Sequence, residues 1–252
     1  MSIIPEKVLI VADDSSLCFG LRKALEESDF YCGEASNGES VMMRLRMLDY
    51  DAVLLELPGS ELDGIEACRQ VRRVYPRLPV LVLSDCDSVD NKVEALEAGA
   101  DDYISKPFSA REIVARLRSA IRRFHAPVAG ITERFVVGEI VLDPARHQVE
   151  KSGYEVLLTP LEFRTLQMLM EQAGRPVTYA TLRATLWGQE SRQHREHLRV
   201  IISALRKKLE DNPSRPTYLI THKYFGYCIR EQTTGSRNPK PIHSPSISRC
   251  RR

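Results

Sequence analysis

The sequence predicts two domains in series: an α/β domain on a doubly wound parallel sheet, then a smaller domain of short strands and three helices closed by a hairpin. Three observations carry this expectation. The 252 residues are enough for two domains of ordinary size. The first half alternates short, wholly apolar runs with stretches of helical period, the order of a (βα)5 unit. The second half changes to short strands, turn dipeptides and capped helices.

In the first half, Val8–Val11 is read as the first strand, followed by a helix over Ser16–Ser28 with Leu17, Leu21, Ala24 and Leu25 at helical spacing. A weaker strand, Phe30–Ala35, precedes a helix at Glu39–Leu48; Met42, Met43 and Met47 read there as core filler. Ala52–Leu57 is a buried strand, Gly64–Val74 a helix, Val80–Ser84 a strand, and Ser88–Ala98 a helix stopped by Gly99. Tyr103–Ile104 and the long helix Ala110–Phe124 complete the unit. Strands apolar throughout imply burial on both faces, so helices flank a parallel sheet. Its working edge is at the carboxyl ends of the strands. Asp13, Asp14, Glu56, Ser84 and Lys106 all fall there, around one crevice.

Residues 5–124 form this domain, and the aperiodic stretch 125–134, with Pro and Gly, is the linker. In the second domain, 135–231, Phe135–Leu142, Gln148–Lys151 and Glu155–Leu158 read as antiparallel strands with turns at Asp143-Pro144 and Ser152-Gly153. Thr159-Pro160-Leu161-Glu162 starts a helix, with a Thr cap, Pro at the first position and Glu at the third. Tyr179–Leu186 and Glu196–Leu209 are two further helices, and Tyr218–Thr221 with Tyr227–Arg230 a closing hairpin. The tail, 232–252, is rich in Ser, Pro and Arg without an acid and is expected to be disordered.

Four functional classes are disfavoured by the sequence. The apolar runs are four residues long, against about 20 for a membrane span. Nothing at the N-terminus reads as a secretory signal, so a cytoplasmic protein is expected. The six cysteines are scattered, as free thiols in a reducing compartment would be, and supply no zinc spacing. No phosphate loop, G-x-S-x-G or H-E-x-x-H occurs, so an enzyme is not expected.

Charge divides with the domains. Residues 1–125 carry 16 Lys+Arg against 22 Asp+Glu, and residues 126–252 carry 20 against 12. An acidic half joined to a basic half suits a chain of which one domain meets a polyanion. Projecting Glu196–Leu209 at about 100° per residue places Val200, Ser203 and Lys207 opposite its apolar stripe and Arg199 and Arg206 on the flanks. With a hairpin presenting His222 and Lys223, this is a winged helix-turn-helix, whose helix fits the major groove of double-stranded DNA. His194 and His197 lie at metal spacing but lack further ligands nearby, and read as DNA contacts.

The strings Gly99-Ala100-Asp101-Asp102-Tyr103, Lys106-Pro107-Phe108, Leu158-Thr159-Pro160-Leu161-Glu162-Phe163, Trp187-Gly188, Leu205-Arg206-Lys207-Lys208-Leu209 and Phe225-Gly226-Tyr227 occur in this order. By them the chain resembles response regulators of the OmpR/PhoB type, with a CheY-like receiver followed by their winged-helix effector domain. Glu196-His197-Leu198-Arg199 is most similar to the KdpE-type branch. The resemblance implies two-component phosphorelay signalling, in which a histidine kinase passes a phosphoryl group, with Mg²⁺, to an Asp ending the third strand. Ser84 and Lys106 match the residues that bind its oxygens, and Tyr103 matches the switch aromatic. It also implies a homodimer on promoter DNA, paired through Lys92, Glu97, Asp102, Glu112 and Arg116, and contact with RNA polymerase through Gly188–Arg195.

At the chemistry the pattern departs. Glu56 stands at the acceptor position and Ala12 at the first acidic position, leaving Asp13, with Asp14 one place late. Pro58 is displaced from the usual proline place, filled by Ser60, and Asp85 replaces a small residue. Tyr224 replaces a wing Gly. A Glu projects one methylene, about 1.5 Å, further than Asp. It is expected to pair with Lys106, to accept a hydrogen bond from Ser84, and to leave no working Mg²⁺ site, so that no cofactor is expected. The resulting expectation is a phosphorylation-independent transcription regulator with an atypical receiver. The alternatives are a conventional kinase-phosphorylated regulator and a protein-interaction adaptor.

Overall fold

The computed structural model describes residues 5–57, 62–125, 134–187 and 195–230. Pro58, Ser60, the linker core, His194, the Gly188–Arg195 loop up to residue 194 and the tail, which carry expectations above, lie outside the described residues.

Strands β1 (Lys7–Val11), β2 (Tyr31–Ala35), β3 (Ala52–Leu57), β4 (Val80–Ser84) and β5 (Asp102–Ser105) form one parallel sheet in the order β2-β1-β3-β4-β5. Helices α1 (Ser15–Glu26), α2 (Gly38–Met47), α3 (Leu62–Val74), α4 (Val89–Glu97) and α5 (Ala110–His125) cover its two faces. β3 and β4 are buried at every residue. One core lies between the sheet and α2, α3 and α4, around Leu9, Val53, Leu55 and Val82. The other, around Ile10, Leu54, Leu83 and Leu117, lies under α1 and α5. Met42 alone of the three methionines packs against a core; Met43 and Met47 are exposed, because the outward turn of α2 carries them to solvent. Gly99 ends α4 region with φ +107°, where a Cβ would meet the Arg72 side chain at 2.8 Å.

In the second domain the expected strand Phe135–Leu142 is a hairpin, β6 (Phe135–Val137) and β7 (Ile140–Asp143), reversed at Gly138 with φ +58°. β8 (Gln148–Lys151) and the two-residue β9 (Tyr154–Glu155) complete that sheet, shorter than the sequence suggested. α6 (Pro160–Glu171) begins with the expected capping box: Glu162 N–H donates to Thr159 Oγ1, and Thr159 N–H donates to the Glu162 carboxylate at 2.8 Å. β10 (Val177–Thr178), absent from the sequence reading, precedes α7 (Tyr179–Trp187) and α8 (Arg195–Leu209). β11 (Leu219–His222) and β12 (Gly226–Ile229) close a sheet ordered β10-β12-β11. Gly226 is needed there, since a Cβ would meet Val177 O at 1.8 Å. α8 packs inward through Leu198, Ile201, Ile202, Leu205 and Leu209 and also lies against α4 of the first domain.

Candidate functional site

The parallel sheet delivers Glu56, Ser84 and Lys106 to one edge, from β3, β4 and the turn after β5. Lys106 Nζ donates to Glu56 Oε1 at 2.7 Å and lies 3.2 Å from Asp85 Oδ1. Burial lowers the pKa of this ammonium and is the largest single influence, but the carboxylates of Glu56 and Asp85 outweigh it and hold the pKa above its ordinary value. The expected bond from Ser84 to Glu56 does not form. Ser84 Oγ accepts from Cys86 N–H at 3.1 Å instead, because the chain turns back over it after β4. Tyr103 is buried, and its hydroxyl donates to Cys86 O at 2.6 Å, so the β4–α4 loop is fastened at both ends of Cys86.

The acids after β1 are divided in use. Asp14 is the N-cap of α1, accepting from Ser16 N–H at 2.8 Å and Leu17 N–H at 3.3 Å, whereas Asp13 is exposed. Among the described residues no three His, Cys, Asp or Glu side chains converge as a metal site.

The second candidate surface is α8 with the hairpin. Arg199, Ser203 and Lys207 are exposed, as are His222 and Lys223. Arg206 differs from the expectation of a free groove-flanking side chain. Its guanidinium donates to Leu219 O at 2.6 and 3.1 Å and to Thr221 Oγ1 at 2.8 Å, so it fastens α8 to β11. Val200 is only 8% exposed yet stands outside the domain's own core, on a helix that lies against α4. His197, expected among the DNA contacts, is buried, with Nδ1 3.9 Å from Asp102 Oδ1 and its ring edge-on to Trp187.

The five expected pairing residues are likewise engaged within the chain. Asp102 is buried under Arg116, which also bonds Glu112 at 2.9 Å. Lys92 bonds Asp87, and Glu97 lies 3.4 Å from Lys207. Arg123 donates to Leu186 O across the domain boundary.

Two sets of organising charges escaped the sequence reading. Arg72 bonds Asp101, Gly99 O, Pro76 O and Leu78 O beneath α3, and Asp101 in turn accepts from Val80 N–H. Glu210 accepts from Thr217, Tyr218 and Leu219 N–H at the entry to β11. Neither has a sequence signature, since most of the partners are backbone groups, which residue type does not mark.

A family model described as the response regulator receiver domain matches residues 8–118, and one described as the transcriptional regulatory protein C terminal matches 153–229. KdpE, the KDP operon transcriptional regulatory protein of Escherichia coli (strain K12), is 37% identical over 220 residues, covering 87% of this chain and 97% of that protein. The chain is a response regulator of the OmpR/PhoB family. A mutant of RitR shares the fold of this response regulator with a TM-score of 0.73 at 22% identity, over 90% of this chain and 99% of the other. The regulator therefore joins a receiver to a DNA-binding output domain. No helix among its described residues is long and apolar enough to cross a membrane.

Proposed function

We propose that this response regulator controls transcription by binding promoter DNA as a dimer, and that aspartyl phosphorylation of its receiver is not what switches it. One observation carries the second part: Lys106, placed to hold a phosphoryl oxygen, already holds a carboxylate oxygen of Glu56 at 2.7 Å. An incoming phosphoryl group would have to displace a charge-assisted bond from a largely buried site. The donors do not fit a Mg²⁺ ion, which needs several oxygens in near-octahedral array. Ala12 has none, Asp14 caps α1, and Glu56 is turned to Lys106. Only Asp13 remains, so no step in this reading is routed through a metal. The inward Tyr103 supports a receiver held in one state by its own side chains.

In that state α8 lies against α4, so the reading helix reaches a major groove only when the domains part. The described contacts opposing this are mixed: Val200 and His197 are buried and Arg123 bonds Leu186 O, whereas the charge pair between α4 and α8 is exposed. An exposed pair such as Glu97–Lys207 is worth about 0–1 kcal/mol. Arg199, Ser203 and Lys207 would then face the groove, with His222 and Lys223 on the backbone. Dimerisation through the α4–β5–α5 face and contact of the 188–195 loop with RNA polymerase belong to the same proposal.

A gel-shift series of wild type, Glu56→Asp and Glu56→Ala, with and without acetyl phosphate and Mg²⁺, tests it beside intact-mass measurement. The expected result is no covalent adduct on wild type and DNA binding that ignores the donor. A stoichiometric adduct on wild type with tighter binding would instead establish a conventional kinase-driven regulator. Affinity for random duplex should fall steeply with salt, because neutralising phosphates releases counterions, whereas little duplex binding would point to a protein adaptor.

A further inference from the structure

The tip of the β11–β12 hairpin carries a residue that does nothing for the fold. Phe225 N–H donates to His222 O, closing a four-residue turn whose third residue is Tyr224. Tyr224 has φ +64°, the left-handed region that this turn position requires and that normally selects Gly or Asn. A bulky side chain there is strained, and such strain persists only when the surrounding structure imposes it. Nothing in the fold gains from the ring, which is 99% exposed. Lys223 and His222 stand exposed beside it, and Phe225 is half exposed. Tyr179 N–H donates to Phe225 O, so the turn is anchored to α7 rather than free to swing. The structure thus holds a large amphipathic ring on a fixed arm, beside the Lys223 ammonium, at the free end of the DNA-binding domain.

We propose that Tyr224 is a DNA-contacting residue whose ring lies against the sugar edges of the minor groove beside the site read by α8. This rests on the DNA-binding reading above. Aromatic and apolar side chains pack into the minor groove against base steps, where recognition separates little beyond A·T from G·C. The ring is uncharged, so its contact adds affinity without releasing a counterion. The wing tip also stands clear in the closed arrangement of α8 on α4, with the Tyr224 ring fully exposed. The turn conformation is kept for the ligand at the expense of the fold, the exchange common at binding sites.

The test uses the full chain and a mixed-sequence duplex of three helical turns, titrated across a salt series. Tyr224→Gly and Tyr224→Asn, both at ease with positive φ, should bind about tenfold more weakly, in line with loss of one aromatic contact. The slope of log affinity against log salt should not change, whereas Lys223→Ala should lessen it by about 0.9. Tyr224→Phe should bind within about twofold of wild type, since the ring is retained. The melting temperature of Tyr224→Gly should hold or rise by about 1–4 °C. Undiminished binding by Tyr224→Gly would overturn the proposal alone, as would weaker binding accompanied by a clear fall in melting temperature or by a reduced salt slope. No binding by wild type at low salt would overturn the DNA-binding reading and the proposal with it.

Discussion

Removing either end of the Glu56–Lys106 pair should give unequal costs, and the inequality follows from what each partner keeps. The Glu56 side chain is 7% exposed and Lys106 is its cation; Lys106 is 26% exposed and also has Asp85 at 3.2 Å. At 2.7 Å and an effective dielectric near 20 the gross attraction is about 6 kcal/mol, much of it offset by desolvation. Lys106→Met leaves a buried carboxylate without a cation and should destabilise the receiver by about 2–4 kcal/mol. Glu56→Gln leaves an oxygen that still accepts from Lys106, while Asp85 keeps the charge balanced, so its cost should stay below about 1 kcal/mol. Urea unfolding of both variants and the double variant, followed by circular dichroism, reads the difference, with a coupling of about 1–2 kcal/mol. Equal costs, or a Lys106→Met cost under about 1 kcal/mol, would refute the claim that this pair fills the pocket. The pH sign is fixed as well. Burial lowers the Lys106 pKa but the two carboxylates raise it further, so its contribution is complete below the ordinary value of 10.5 and is lost as pH climbs through the raised folded value.

Three further outcomes are expected. Glu97→Lys sets two cations face to face across α4 and α8, and should raise affinity for duplex DNA severalfold in fluorescence anisotropy by favouring separated domains; unchanged affinity would mean that the contact does not restrain α8. His147 is held neutral, its pKa lowered to about 4 chiefly by burial and further by Arg77. The unfolded chain therefore takes up a proton near 6.5 that the folded chain refuses, so stability should be full above that pH and fall by about 1–2 kcal/mol towards pH 4, after allowance for partial exposure. His147→Gln should flatten the fall in melts taken across that range. Arg206→Ala should lower the melting temperature by several degrees because it frees Leu219 O and Thr221, whereas Arg199→Ala should weaken DNA binding and leave the melt unchanged.

The order of the first domain was legible because strands buried on both faces are apolar without alternation, a signal that Val80–Leu83 and Ala52–Leu55 carry unbroken before the pocket residues Ser84 and Glu56. The Thr159 capping box was legible for a similar reason, since it is complete within four residues. The β6–β7 hairpin was hidden because Gly138 interrupts a run otherwise apolar enough for one strand. β10 was hidden because its pairing to Gly226 joins segments far apart in sequence. In the pocket, the Glu56–Lys106 contact followed from side-chain length alone. Asp14's cap and Ser84's bond to Cys86 depend on backbone direction after β1 and β4, which residue type does not encode. The engagement of Glu97 and Asp102 by α8 could not be read at all, because periodicity reports which face of a helix is apolar but not which domain will meet it.

The seat of α8 on α4 has a consequence for how much protein a cell must make. A tethered domain confronts its neighbour at an effective concentration in the millimolar range for a short linker. A second molecule arriving at the surface that holds Glu97 and Asp102 competes against that standing local excess. If pairing uses this surface, self-assembly is a threshold event governed by abundance, and a promoter bearing tandem sites lowers the threshold by gathering copies along its length.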